Sequence, residues 1–244
     1  MKNMILALAG LSLCLGLARA DTAQWAYEGD RGPAHWGALS PDYIMCERGH
    51  NQSPINIEGA LDAPLAPLET QYMAAGKDIV NNGHTIQISF HPGNMLILDG
   101  ARFEMVQVHF HAPAENKIEG KLYPLEAHFV HADDHGNLAV VAVMFTEGQA
   151  NTGLKALWPQ MPAGIGRPAA LNIDIKPTDL MPASLSYYRY SGSLTTPPCS
   201  EGVRWLILKT PVTASRAQIE TFEKTMGQKT NRPIQPLNGR VVVK

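Results

Sequence analysis

The sequence predicts a mainly β protein of one domain with a few short helices. Three observations predict this class: apolar and polar residues alternate in several runs, turns rich in Gly, Asn and Asp separate the runs, and few residues lie between one run and the next. Short connections favour antiparallel pairing, because a parallel pair needs a crossover of a dozen residues or more. The sequence contains no internal repeat, linker or low-complexity tract.

The elements are predicted in chain order from these patterns. The stretch 21–67, with its Gly and Pro residues, is predicted to be mostly ordered loop that wraps the sheet. Six strands are predicted: His84–Phe90, Asn94–Leu98, Arg102–His111, Leu122–His131, Leu138–Phe145 and Val203–Lys209. Turns are predicted at His91–Asn94, Asp99–Gly100 and Asp133–Asn137. Helices are predicted over Gly153–Trp158 and Ser215–Met226, the second from apolar residues at helical offsets.

The first twenty residues have the pattern of a secretory signal peptide. Lys2 precedes an apolar run over residues 4–17, and Ala18-Arg19-Ala20 follows it. The run is too short for a transmembrane anchor. We therefore expect a signal peptide over 1–20, a single exported domain over 21–244 that lies in the periplasm or is secreted, and no membrane span.

Cysteine content agrees with export, and the charge balance gives no sign of a polyanionic partner. Without Lys2 and Arg19 the chain has 18 basic and 22 acidic residues, a formal charge of −4, which gives no indication of nucleic-acid or anionic-membrane binding. Cys14 lies in the predicted signal peptide, so Cys46 and Cys199 remain as a pair. An oxidising compartment favours a disulfide between them, with two buried free thiols as the alternative.

Three histidines predict a metal centre. His109 and His111 point to the same face of a strand, because side chains alternate, and Gln107 shares that face. If the strand containing Glu126 and His128 pairs with the first, it brings a third imidazole to the same face. Three neutral imidazoles with one open position are the ligand set of a catalytic zinc, and Glu126 is spaced to accept a hydrogen bond from an imidazole.

Another metal site also fits part of this pattern. His109, His111 and Glu115 have the spacing of the first half of a cupin motif, which would indicate an iron or manganese dioxygenase or isomerase. The second half is missing, since no PxGxxH precedes His128. A zinc enzyme is therefore the favoured interpretation.

A family resemblance is visible along nearly the whole chain. The segments that carry it are Trp25-Ala26-Tyr27, His35-Trp36-Gly37, Gln52-Ser53-Pro54-Ile55-Asn56-Ile57, Asn82-Gly83-His84, Gln107-Val108-His109-Phe110-His111, Ala114-Glu115-Asn116, Glu126-Ala127-His128-Phe129-Val130-His131, Gly192-Ser193-Leu194-Thr195-Thr196-Pro197-Pro198 and Asn231-Arg232-Pro233-Ile234-Gln235-Pro236-Leu237. With these segments in this order, the chain resembles the α-class carbonic anhydrases, in particular the exported bacterial members. The resemblance implies a catalytic domain over 21–244 built around a large, mostly antiparallel twisted sheet, with zinc at the bottom of a cleft.

The implied activity is zinc-dependent reversible hydration of carbon dioxide to bicarbonate and a proton, by attack of zinc-bound hydroxide. One Zn²⁺ per chain, held by His109, His111 and His128, is implied, and in carbonic anhydrases such a zinc lowers the pKa of its water to about 7. Thr195 resembles the residue that accepts from the hydroxide and donates to a carboxylate, here Glu115. An ionised carboxylate only accepts hydrogen bonds, so Glu115 directs the Thr195 lone pairs toward the hydroxide.

The resemblance also assigns the remaining cleft residues. Val130, Val140 and Leu194 are implied to form an apolar pocket for carbon dioxide, with Trp205 behind it, and Thr196 to contact bicarbonate or water. His84 is implied to be the proton shuttle, since imidazole titrates near physiological pH. Tyr27, Asn82 and Gln87 are implied to order the connecting water. Binding of sulfonamides and anions is expected, and a homodimer is left open.

Several positions depart from the family pattern or lie outside the site. Asn116 and Ala112 replace a histidine and a tryptophan of many animal members, which affects support around the site and not the ligands. His131 lies on the opposite strand face from His128 and is expected to be buried and hydrogen-bonded. The Ser53-Pro54 and Pro197-Pro198 bonds match cis positions, and a disulfide after the second would hold the Thr195 loop near Cys46. A non-catalytic zinc-binding relative is the other alternative, although such domains typically lose a ligand.

Overall fold

A large mixed sheet forms the centre of the computed structural model, which describes residues 24–244. The predicted signal peptide lies outside the described residues. The strands are β1 Asn56–Ile57, β2 Glu69–Tyr72, β3 Gly76–Asn81, β4 Ile86–Phe90, β5 Asn94–Leu98, β6 Ala101–His111, β7 Lys117–Ile118, β8 Lys121–Leu122, β9 Leu125–Ala132, β10 Leu138–Glu147, β11 Ala169–Ala170, β12 Tyr187–Ser193, β13 Glu201–Leu208 and β14 Val212–Ala214. The helices are α1 Trp36–Leu39, α2 Met45–Arg48, α3 Thr152–Leu157 and α4 Arg216–Met226, with 3₁₀ turns at Gly29–Arg31, Pro41–Tyr43, Trp158–Gln160 and Pro177–Leu180.

Most strand pairs of the large sheet are antiparallel, as predicted. Its main path runs β11-β3-β4-β6-β9-β10-β13-β12, with β5 on β6, β2 on β5 and β14 on β10. The exceptions are β10–β13 and β10–β14, which are parallel. The long connection between β10 and β13 allows that direction, because a crossover needs many residues. β1, β7 and β8 form a separate small sheet.

The predicted strands are present with shifted boundaries. The strand predicted from His84 begins at Ile86, because Asn82 Oδ1 accepts hydrogen bonds from the backbone N–H groups of His84 and Thr85 and holds them in a turn. The run predicted over Leu122–His131 divides into β8 and β9 at Pro124, which has no N–H to donate to a ladder. Strands β1, β2, β3, β7, β11, β12 and β14 were not predicted.

The predicted helices are also present. The first covers Thr152–Leu157, and Trp158 begins a 3₁₀ turn instead of ending the helix. The second begins at Arg216, because Ser215 is its N-cap and accepts from Gln218 N. No helix of the described residues has both the length and the apolar character needed to cross a membrane.

Alternation along β9 and β10 builds two hydrophobic cores on opposite faces of the sheet. The helix-side core contains Phe129 and Val141, together with Leu154 and Phe222 from α3 and α4. The cleft-side core contains Val130, Val140, Ala142, Tyr190 and Trp205. Both faces are covered, so these central strands consist of almost continuously buried residues. The even-numbered residues of β9, including Glu126 and His128, therefore share the cleft side.

The N-terminal segment packs against the cleft and is joined covalently to the rest of the domain. Cys46 and Cys199 form the predicted disulfide, with Cα atoms 5.0 Å apart and a sequence separation of 153. The Ser53-Pro54 and Pro197-Pro198 bonds are cis, as the resemblance implied, and Ala112-Pro113 is cis as well.

Candidate metal centre

The register of β6 and β9 brings the three predicted ligands together. His109 lies directly opposite His128, and His111 follows two residues later on the same face as His109. One ring nitrogen from each imidazole can be chosen so that all three lie within 4.8 Å of one another. This clustering follows from strand alternation and pairing alone, which is why the sequence predicted it.

The second nitrogen of each ring has a hydrogen-bond partner. Gln107 Oε1 is 2.8 Å from His109 Nδ1, and Glu126 Oε1 is 2.9 Å from His128 Nε2. The carbonyl oxygen of Thr230 accepts from His111 Nδ1. These acceptors fix ring orientation and leave His109 Nε2, His111 Nε2 and His128 Nδ1 for a metal ion.

The electrostatics of the cluster favour uncharged imidazoles. Burial lowers the pKa of His109, His111 and His128, and the neighbouring imidazoles lower the pKa of His109 and His128 further. His111 Nε2 is buried without a hydrogen-bond partner. A buried nitrogen lone pair without a donor is costly, so the site fits a cation that accepts three nitrogen ligands, as zinc does.

Two buried carboxylates lie beside the imidazoles. Glu126 accepts hydrogen bonds from Glu115 N at 2.7 Å, from Asn116 N at 2.9 Å and from Asn116 Nδ2 at 2.8 Å, in addition to His128. Glu115 Oε1 accepts from Arg232 N at 2.8 Å, while Glu115 Oε2 lies 3.5 Å from His111 Nε2. Burial raises the pKa of Glu115 to about 8, although hydrogen bonds from Arg232 N and from the Thr195 side chain oppose this shift.

An open cleft of about 130 Å³ leads to the imidazoles. Its lining includes the residues predicted for the proton path, which are Tyr27, Asn82, His84 and Gln87. Of the two predicted threonines, Thr196 also lines it. The predicted apolar residues lie in or against the cleft-side core, where Val130, Val140 and Trp205 are buried and Leu194 packs against them. The Trp205 ring contacts His128, with centroids 4.9 Å apart.

His84 lies at the cleft wall and stacks on Trp25. The two rings are 3.7 Å apart and 12° from parallel. Burial lowers the pKa of His84, and its Nδ1 atom is buried without a hydrogen-bond partner. Asn82 uses its side-chain oxygen to hold the turn that carries His84, and it also lines the cleft.

His131 differs from the three clustered histidines. It is fully buried, its Nε2 lies 2.8 Å from the Tyr72 hydroxyl and its Nδ1 lies 3.3 Å from the Ala139 carbonyl. These contacts confirm the expectation of a buried, hydrogen-bonded histidine that does not face the cluster.

Sequence reasoning did not single out two residues that contact the site. Thr230 contributes a backbone carbonyl, which no side-chain pattern reveals. Arg232 contributes its backbone N–H to Glu115, and its buried side chain donates to Gln52, Ser53 and Cys46. Burial lowers the pKa of Arg232 to about 10, so the guanidinium remains protonated at neutral pH. In the sequence, Arg232 stands out only as part of Asn231–Leu237, one of the segments that carry the family resemblance.

Comparisons with known proteins agree with the geometry of this centre. A sequence model of the family described as eukaryotic-type carbonic anhydrase matches residues 31–244. A carbonic anhydrase of Pectobacterium carotovorum is 51% identical over 243 residues, which cover 100% of each chain.

Solved structures of carbonic anhydrases are also similar to this chain in sequence and fold. The alpha-carbonic anhydrase of Thermovibrio ammonificans, in complex with the inhibitor sulfanilamide, is 51% identical with a TM-score of 0.89, over 91% of this chain and 99% of that one. A carbonic anhydrase of Chlamydomonas reinhardtii in complex with acetazolamide is 34% identical with a TM-score of 0.80, over 91% and 99%. The family match replaces the cupin alternative. The chain belongs to the eukaryotic-type, or alpha, carbonic anhydrase family of enzymes.

Proposed function

We propose that this chain catalyses the zinc-dependent reversible hydration of carbon dioxide to bicarbonate and a proton. The observation that carries the proposal is the convergence of three uncharged imidazoles, each fixed by a second hydrogen bond, beside Glu115 and Thr195. His109, His111 and His128 would hold one Zn²⁺. When bound, the zinc would supply hydroxide near neutral pH by lowering the pKa of its water to about 7, and its charge would favour ionised Glu115.

Thr195 and Glu115 would orient the reacting water. The Thr195 side chain opposes the rise in the pKa of the buried Glu115 carboxyl. A carboxylate can only accept, so in a hydrogen bond between Thr195 and Glu115 the hydroxyl proton would point to Glu115 and the hydroxyl lone pairs would accept from the water. This arrangement selects a water that donates to Thr195 and turns its own lone pair toward the substrate. Thr196, which lines the cleft, would contact bicarbonate.

The apolar wall would bind carbon dioxide and exclude water from its carbon atom. Val130, Val140 and Leu194 belong to or pack against the cleft-side core, with Trp205 behind them. A substrate without a net dipole gains little from polar groups and is favoured by such a wall. A tyrosine at Val130 would fill this space while leaving the imidazoles in place.

His84 would move the product proton between the cleft and solvent. It shares the cleft with Tyr27 and Gln87, which line the path from the imidazoles, and Asn82 fixes its turn. Because burial lowers the pKa of His84, the neutral imidazole that accepts a proton predominates at neutral pH.

We further propose that residues 21–244 are exported as one catalytic domain after cleavage of the signal peptide, to the periplasm or the medium. The apolar run of residues 4–17 and the Cys46–Cys199 disulfide support export. We also expect sulfonamides to inhibit the chain, since the relatives from Thermovibrio ammonificans and Chlamydomonas reinhardtii bind sulfanilamide and acetazolamide.

The test is stopped-flow hydration of carbon dioxide by purified residues 21–244, with the zinc content of the same sample. We expect rapid hydration with about one zinc per chain. The His128→Gln variant should lose zinc and activity, whereas the matched control His131→Gln, in the same strand but facing the helix-side core, should keep both. Full zinc without hydration would contradict the reaction, and a chain that binds no zinc would contradict the metal site.

A further inference from the structure

A short coil segment after α4 contacts two groups of the metal centre through its main chain. The Thr230 carbonyl accepts from His111 Nδ1, and Arg232 N donates to Glu115 Oε1 at 2.8 Å. Thr230 also pairs with Ala112, next to His111, through its N–H at 3.0 Å and its hydroxyl at 2.9 Å. The position of residues 230–232 therefore sets the orientation of His111 and of the Glu115 carboxylate together.

This segment lies in neither a helix nor a strand, so its position depends on individual contacts such as those of Thr230. The Arg232 side chain supplies one, because it is only 2% exposed and reaches the N-terminal segment. Nη1 donates to Gln52 Oε1 at 2.8 Å and to Ser53 O at 2.9 Å, and Nη2 donates to Cys46 O at 3.0 Å. The guanidinium also lies over the Trp36 ring, 5.6 Å from its centroid.

The chemistry of these acceptors makes the anchor specific for arginine. Gln52 Oε1, Ser53 O and Cys46 O are uncharged, so they hold the buried cation by hydrogen-bond geometry and not by pairing with a carboxylate. A planar guanidinium reaches several oxygens at fixed angles, whereas a lysine ammonium is a single point donor. Shifting Arg232 would move its own backbone N–H, and with it the Glu115 contact.

We propose that Arg232 is a positioning residue of the metal centre: its side chain anchors residues 230–232 to the disulfide-bearing N-terminal segment and thereby orients His111 and Glu115. The inference rests on the proposed function, because the group held at the imidazoles would be zinc. Arg232 touches neither substrate nor metal and acts through Thr230 O and its own N–H.

Arg240 provides a matched control. It lies in the same C-terminal coil, is partly buried, and also donates to three carbonyls: Leu237 O at 3.0 Å, Ser191 O at 3.1 Å and Pro236 O at 2.8 Å. Those carbonyls do not contact the imidazoles or Glu115. A lysine at position 240 therefore removes a similar set of hydrogen bonds without altering support of the centre.

The experiment compares zinc-loaded 21–244 with its Arg232→Lys and Arg240→Lys variants. The rate of zinc release to excess chelator is measured, together with the visible absorption spectrum after replacement of zinc by Co²⁺, which responds to ligand geometry. We expect Arg232→Lys to release zinc about 10-fold faster or more, because disturbance of outer-shell partners typically costs about 10- to 100-fold in metal affinity, and to change the cobalt spectrum. Arg240→Lys should match the parent in both measurements.

A milder variant covers the case in which Arg232→Lys does not fold. Gln52→Leu removes one of the three acceptors of Arg232 and should accelerate zinc release in the same direction by a smaller factor. Unchanged release and an unchanged cobalt spectrum in the folded Arg232 and Gln52 variants, with normal zinc binding and hydration by the parent, overturn this inference and leave the proposed function standing. A parent chain that binds no zinc overturns both.

Discussion

Burial determines the protonation state of the individual histidines of β6 and β9. His109, His111 and His128 converge on the cleft side, where burial lowers the pKa of all three and the neighbouring imidazoles lower the pKa of His109 and His128 further. His131 lies in the same strand as His128 but faces the other way, where its pKa is also lowered by burial. The neutral rings of the three clustered histidines are suited to binding a metal. The neutral ring of His131 is suited to fixed hydrogen bonds with Tyr72 and Ala139.

The environment of His131 predicts a pH-dependent stability. Burial lowers its pKa to about 4 in the folded chain, against about 6.5 when unfolded. The unfolded chain therefore binds a proton that the folded chain does not between these values, so stability should fall as pH drops from about 6.5 to about 4, by about 3 kcal/mol in total. We expect urea unfolding of His131→Gln to show a shallower decline between pH 7 and pH 4.5 than the parent.

Both proteins contain His109, His111 and His128, so the comparison removes the contribution of these three histidines to the pH dependence. His131→Gln should differ from the parent in slope, whatever the change in its stability at pH 7. Parallel stability curves for the two chains would show that His131 is not the group responsible.

His84 predicts a buffer-dependent turnover. Replacing His84 by alanine removes the proposed proton acceptor of the cleft, so steady-state hydration in weak buffer should slow, and added imidazole should partly restore it. The control is His135→Ala, which removes an exposed turn histidine distant in sequence from the cleft residues. Equal hydration rates for the His84 variant and the parent in weak buffer would contradict the proposed role of His84 as a proton shuttle.

The side chains that accept hydrogen bonds from the imidazoles could be predicted from the sequence, whereas the backbone carbonyl that does so could not. Strand alternation predicts Gln107 on the same face as His109, and Glu126 on the same face as His128. The acceptor for His111 is the backbone carbonyl of Thr230, 119 positions from His111 in the sequence. A carbonyl carries no residue-type signal, and the fold of the coil after α4 decides which one is used.

Among the elements, strands with a strong apolar pattern were predicted and weakly patterned strands were not. β10 is a nearly continuous apolar run because both of its faces are buried. β3 begins with Gly76-Lys77-Asp78, and β12 consists largely of Tyr, Arg, Ser and Gly, so neither displays a period of two. Those strands form because partners with better patterns, β4 and β13, supply hydrogen-bonding edges.

The disulfide connects two elements of the site and predicts sensitivity to reductant. Cys199 ends the loop that carries Thr195, its N–H donates to Thr196 O at 2.9 Å, and Cys46 lies in α2. Opening a loop of 153 residues should lower the free energy of unfolding, by about 5 kcal/mol at most in the chain-entropy model. We expect reductant to lower both the melting temperature and the hydration rate of the parent.

A Cys46→Ser, Cys199→Ser double variant serves as the control, because it should have the properties of the reduced parent and ignore reductant. If the parent kept its melting temperature and activity under reducing conditions that demonstrably open the bond, the disulfide would have no part in holding the Thr195 loop.

At the scale of the whole molecule, the two ends of the main path of the sheet are protected differently. At one end lies β11, which has only two residues. At the other end β12 is covered by the C-terminal segment: Arg189 N donates to Val243 O at 2.8 Å, and Val243 N donates to Arg189 O at 3.0 Å. Short edges and covered edges are both ways to prevent pairing between copies of a sheet.

The covering segment predicts a role for the last four residues. Deleting 241–244 would expose N–H and C=O groups of β12, so the chain should be less stable and should associate at concentrations at which the parent does not. Light scattering over a concentration series measures this. Val241→Ala, which trims an exposed side chain and keeps the backbone, should behave as the parent; identical scattering by the deletion would contradict the edge argument.

The stack of Trp25 on His84 joins the N-terminal segment to the wall of the cleft and gives the molecule an internal optical reporter. An indole and an imidazole 3.7 Å apart and nearly parallel are close enough for the imidazolium to quench indole emission by electron transfer. The fluorescence of Trp25 should therefore brighten as His84 loses its proton, with a midpoint below the usual histidine range because burial lowers that pKa. The difference in fluorescence between the parent and a Trp25→Phe variant would separate this signal from that of the other three tryptophans. The protonation state of a single cleft residue could then be followed by fluorescence.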